Sequence, residues 1–184
     1  MKNPYRALSI SSHDKALAAS VVVTVLLSVV LMGLDQALRT AAAPTGIVSF
    51  ELAGNFVRSQ NMLVSWDEAA RVNAALSLGI DFLYLVSYSA CLSLACVRVA
   101  IGLGAGFPNL AAVGSYLGLL IYAAGALDAV ENIALIRVLQ GSPWEAWPRV
   151  ALLCALPKFA LVATALIYVP TAGVVSLIAG RSSR

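Results

Sequence analysis

The chain has 184 residues, 60% of them hydrophobic, 11% charged and 8% aromatic, with a mean hydropathy of +0.88. Soluble domains carry roughly a quarter charged residues, so a water-soluble globule, a disordered chain, a collagen and a disulfide-rich secreted scaffold are excluded. The net charge of +3 is spread thinly, with no basic tract for nucleic acid, and nucleic-acid binding is excluded too.

A polar leader with Lys2, Arg6 and Lys15 precedes the first apolar run, Ala16 to Leu34. A helix crossing ~30 Å of hydrocarbon needs about 20 apolar residues, so 16–34 is the first predicted span. A cleaved signal peptide is the competing reading. The small-residue site Ala41-Ala42-Ala43, however, lies beyond Asp35 and Arg39 and is followed by Pro44, which favours an uncleaved helix.

The connection 35–71 carries Ile47, Phe50, Leu52, Phe56 and Val57, with Glu51, Asn55 and Arg58 at helical spacing. This pattern predicts an amphipathic, interfacial helix over 46–62. Trp66 suits the headgroup level, as do Trp144 and Trp147, and Ser65 followed by Asp67 and Glu68 marks a helix start. Further spans are predicted over 72–97, 110–139 and 150–169. Pro170 is expected to end or kink the last of them. Gly102, Gly104 and Gly106 read as a turn, since no strand precedes them to make a phosphate loop.

There is no internal repeat, and the fold class is a single all-α membrane domain, a bundle of four transmembrane helices. Cys91, Cys96 and Cys154 sit in apolar stretches without zinc-site spacing and read as packing residues. His13 is the only histidine, so a His-ligated metal or a Ser-His-Asp triad would require it to fold back from the leader. No metal site is predicted and no cofactor is assigned. Orientation follows the basic residues flanking the spans. With Lys2, Arg6, Lys15, Arg98, Arg181 and Arg184 inside and Arg39, Arg58, Arg71, Arg137 and Arg149 outside, both termini are expected to be cytoplasmic.

The strongest functional pattern is made by charges inside the spans. Asn73, Ser77, Asp81, Tyr84 and Tyr88 share one face of the second span, and Asp128, Glu131 and Asn132 share one face of the third. Gly114, Gly118 and Gly125 lie on roughly that same face, so it packs against another helix; the G-x-x-x-G is also compatible with a homo-oligomer. The helical rise puts Asp81 about 13 Å in from Val72 and Lys158 about 12 Å in from Val150. Asp128 comes out about 13 Å and Glu131 about 9 Å from Arg137. All four reach a similar depth on three helices.

A charge at the bilayer centre costs at least about 2.5–3.5 kcal/mol, so such a set demands pairing, shared protons or a ligand. As a site, Asp128 and Glu131 would act as general acid and base or as cation ligands, with Asp81 assisting. Asn132, Lys158, Tyr84, Tyr88 and Glu51 would contact a lipidic or small polar ligand, and Arg71 and Arg149 could reach in. The alternatives are a structural subunit, in which Lys158 pairs with Asp81 or Asp128 to fix helix register, and an oligomeric proton-coupled transporter. Glu51 reads equally as part of a solvated face and as a lid over the cluster.

At Phe50-Glu51-Leu52-Ala53, Asp81-Phe82-Leu83-Tyr84, Asp128-Ala129-Val130-Glu131-Asn132 and Lys158-Phe159, the chain resembles uncharacterised bacterial four-span membrane proteins, from about residue 47 onward. The resemblance implies no known activity; a bacterial inner-membrane location is expected, and a membrane-spanning chain has membrane lipid as its expected partner. Signatures of head-group transferases, prenyltransferases and quinone-linked thiol oxidases are missing.

Overall fold

The computed structural model describes residues 9–182, with side chains through 178. Lys2, Arg6 and Arg184, which enter the orientation argument, lie outside the described residues, as does the side chain of Arg181. Among the described residues there are helices and no strand: α1 (Ile10–Asp35), α2 (Ile47–Glu51), α3 (Phe56–Ser65), α4 (Glu68–Leu103), α5 (Pro108–Leu139) and α6 (Trp147–Ser182). Four of them, α1, α4, α5 and α6, are long and apolar enough to cross a membrane. The chain is an all-α four-helix bundle and a multi-pass membrane protein.

Each long helix extends past its apolar run, because helix propensity does not stop where hydropathy does. Asp67 accepts a hydrogen bond from the Ala70 N–H at 2.8 Å and so caps the start of α4. At the other end of this helix a 3₁₀ turn, Gly104–Gly106, forms the short link to α5. Of the two outcomes expected at Pro170, an end to the span is not what the structure has; α6 runs on to Ser182. Proline removes one backbone donor, yet the helix continues past it, as membrane-crossing helices tolerate.

The expected single amphipathic helix over 46–62 is two helices, α2 and α3, broken at Gly54, whose φ is +70°. Glu51 therefore ends one helix and Asn55 precedes the next. Gly46, at φ +59°, begins α2 where a Cβ would run into the Asp35 carboxylate. That carboxylate accepts from the Ile47 N–H at 2.8 Å, which ties the start of α2 to the end of α1. Asn55 caps α3 by accepting from the Arg58 N–H at 2.9 Å.

The chain divides into two compact units, and each long helix contributes a stretch to both. One unit holds the described residues up to Thr24, Ser87–Gly125, and Phe159 onward. Its core gathers Cys96, Ala100, Leu117, Ile121, Ala165 and Tyr168. Small residues and hydroxyls bring its helices together. Ser93 donates to the Gly118 carbonyl, Thr24 and Ser87 share a hydrogen bond of 2.7 Å, and Tyr168 donates to the Leu110 carbonyl at 3.0 Å. The Tyr168 ring fills the space where a side chain at Gly114 would sit. Its one ion pair among the described residues, Arg98 with Asp14 at 2.6 Å, is exposed.

The other unit comprises Val25–Val86 and Ala126–Lys158. Its core packs Leu38, Phe50, Met62 and Trp66 of the first connection against Ala74 and Leu78 of α4 and Leu135 and Val138 of α5. Trp66 is not a headgroup anchor, as expected from its position, but a core residue only 2% exposed. Its ring meets Phe50 edge-on at 5.2 Å, and its indole N–H donates to the Leu38 carbonyl at 2.8 Å. Burial of ring and N–H together explains the difference, because the N–H finds its acceptor inside the protein. Trp144 is exposed, and Trp147 is half-buried with its N–H on the Ser142 hydroxyl.

Candidate functional site

The buried charges of the second unit converge on Lys158. Its Nζ donates to Asp128 Oδ1 at 3.0 Å, and lies 2.9 Å from Glu131 Oε2 and 3.8 Å from Glu51 Oε2. Asp128 and Glu131 stand one turn apart on α5, so helical spacing delivers both to one cation. Lys158 comes from the first half of α6 and Glu51 from the last residue of α2. Lys158, Asp128 and Glu131 are 6%, 4% and 0% exposed. Glu131 Oε1 is buried with no hydrogen-bond partner.

Asp81 approaches from α4. It pairs with Asn132, whose amide donates to Asp81 Oδ2 at 2.6 Å, and it makes no direct contact with Lys158. Four carboxylates thus gather where one ammonium balances one of them. Among the described residues no set of three His, Cys, Asp or Glu side chains is spaced to hold a metal ion; the cation at the centre of this cluster is the lysine itself.

A cleft of about 340 Å³ opens onto the cluster. Glu51, Asp81, Asn132 and Ser77 give it polar groups, and Leu31, Ile47, Val48 and Leu78 give it apolar walls. Asp128, Glu131 and Lys158 do not line it; they stand behind the cleft-facing carboxylates. Asp35 and Arg39 sit at its edge as an ion pair of 3.0 Å. Burial pushes the Glu51 carboxyl up to about 8. Lys158 opposes that rise, and the carboxylates of Glu131, Asp128 and Asp81 add to it.

The remaining candidates fall elsewhere. Tyr84 accepts a hydrogen bond of 3.4 Å from Ser28, linking α4 to α1, and does not line the cleft. Tyr88 is buried in the other unit. Arg71 does not reach the cluster: its guanidinium donates to the Leu63 carbonyl at 2.6 Å and covers the end of α3. Arg149 is exposed. Asp35 and Arg39 were missed as cleft residues. Their i, i+4 spacing just past the first apolar run was the available signal, but only the return of the chain at Gly46 brings α2 against them.

Comparison with protein-family models, with characterised proteins and with solved structures finds no match to this chain, so the site stands on its own geometry.

Proposed function

We propose that the chain holds a membrane-embedded acidic site that binds the polar end of an amphiphilic or small polar ligand. Glu51 and Asp81 are the groups that touch the ligand and exchange protons with it. Asn132 orients Asp81, while Asp128, Glu131 and Lys158 set the field behind them. The observation that carries this reading is the cleft itself: Glu51 and Asp81 line it besides Asp35, which Arg39 already pairs, and the ammonium of Lys158 is already shared among three acids. Its walls of Leu31, Val48 and Leu78 suit the apolar part of such a ligand.

The test is native mass spectrometry of the full-length chain extracted in mild detergent. A bound small molecule recovered with the wild type and lost from both Asp81→Asn and Glu51→Gln supports the site. Equal recovery from all three proteins, or none from the wild type, counts against it.

A second reading, a buried ion-pair network that serves assembly alone, is favoured by one observation: Glu131, Asp128 and Lys158 are shut away from the cleft.

A further inference from the structure

The helix α2 faces two hollows of opposite character. Ile47, Val48 and Glu51 line the acidic cleft, whereas Ser49 lines a second groove of about 400 Å³, and Thr45 borders both. The polar groups of this groove are Arg58, Asn61, Thr45 and Ser49, and no Asp or Glu lines it. Leu52 and Met62 give it an apolar side. The Thr45 and Ser49 hydroxyls are already held in place by a mutual hydrogen bond of 2.7 Å.

Arg58 is exposed, and among the described residues its guanidinium makes no ion pair or hydrogen bond. It stands at the third position of α3, whose first turn holds no acid. A cation there opposes the helix dipole instead of completing it, so Arg58 gains nothing from its own helix. An oxyanion in the groove would be attracted by the guanidinium, which faces no acid there. Both helices belong to the connection between α1 and α4, two helices of membrane-crossing length, so the groove lies where those helices leave the hydrocarbon. Lipid phosphates lie at that level.

We infer that this groove binds the phosphate of an anionic phospholipid. Arg58 grips the phosphate oxygens, Asn61 and the Thr45–Ser49 pair serve as further polar contacts, and Leu52 and Met62 lie along the glycerol end of the lipid. The site is separate from the acidic cleft, and its occupant carries the opposite charge to the one those carboxylates would attract.

The experiment uses the full-length chain in a neutral detergent and titrates dioctanoyl phosphatidylglycerol, reading bound lipid by native mass spectrometry. Saturable binding is expected, weakened about tenfold or more in Arg58→Gln, as loss of a charge-assisted contact predicts. Arg58→Lys should retain much of the affinity. Arg137→Gln, which removes another exposed arginine, should bind like the wild type, and dioctanoylglycerol, without the phosphate, should not bind. Unchanged affinity in Arg58→Gln, or an equal loss in Arg137→Gln, overturns the site. Inorganic phosphate that displaces the lipid at equal concentration overturns the lipid as its occupant.

Discussion

The two units join segments of the same long helices by different means. In the unit with Ser87–Gly125, helices meet through glycines, hydroxyls and a tyrosine: Ser93 on the Gly118 carbonyl, Thr24 with Ser87, and Tyr168 beside Gly114. In the unit with Ala126–Lys158, the meeting point is a lysine among acids. Among the described residues, the unit with Ser87–Gly125 holds its four helices together without a buried ion pair. Buried ions are a poor means of gaining stability, because desolvation offsets most of their attraction. The contrast implies that the charges of the second unit answer to a demand other than packing.

The largest test of that contrast is Lys158→Met. Removing the ammonium they share leaves Asp128 and Glu131 buried without their counter-charge, and the folded state should lose about 3–5 kcal/mol. Thermal unfolding in detergent reads this directly. Adding Glu131→Gln and Asp128→Asn to Lys158→Met should recover most of the loss, because neutral side chains of the same shape need no cation. If recovery is complete and ligand binding survives, the charges serve neither stability nor the site, and the contrast between the units collapses. If stability returns while binding is lost, the contrast is sharpened into a division of labour.

The second test turns on Glu51. Its carboxyl ordinarily titrates near 4.5 and in the fold is raised to about 8, chiefly by burial. The folded state thus holds a proton that the unfolded chain releases. This contribution to stability is complete below about 4.5 and is lost as the pH rises through about 8. Lys158, Glu131, Asp128 and Asp81 face this carboxyl, and the Asp35–Arg39 pair stands at the edge of its cleft. The stability of the wild type, read by its unfolding temperature, should fall across that window, by at most about 5 kcal/mol. Glu51→Gln should flatten the profile. A wild-type profile as flat as that of the variant would show that Glu51 is solvated and plays no part in the cluster.

The history of Glu51 marks what could be read without the fold. Hydropathy and the helical rise are local properties, so four apolar helices and the shared depth of Asp81, Asp128, Glu131 and Lys158 follow from position alone. Which acid meets the lysine does not: Asp81 turns to Asn132, and Glu51 takes a place beside Lys158 that spacing within the spans cannot predict. The connection 35–71 misled for the same reason. Its apolar residues fit one amphipathic helix on a membrane surface, but positive φ at Gly46 and Gly54 folds it back, and Phe50 and Trp66 become core. At Pro170 the lost backbone donor does not end the helix, and α6 continues to Ser182.

The smallest expected effect belongs to the unit of Ser87–Gly125 and tests the other side of the contrast. Thr24 and Ser87 share a hydrogen bond of 2.7 Å between α1 and α4. Interhelical hydrogen bonds of this kind average about 0.6 kcal/mol in membranes, because the separated helices also find partners. Thr24→Val and Ser87→Ala should each lower stability by about that amount, and the double variant by little more than either alone. An effect of this size would mean that the first unit rests on many weak, interchangeable contacts, among which small residues such as Gly114 matter as much as any hydroxyl. A loss as large as that of Lys158→Met would mean that a single neutral pair can matter as much as the buried ions. The concentration of charge around Lys158 would then be one form of helix packing among others, and its link to a ligand would have to rest on the cleft alone.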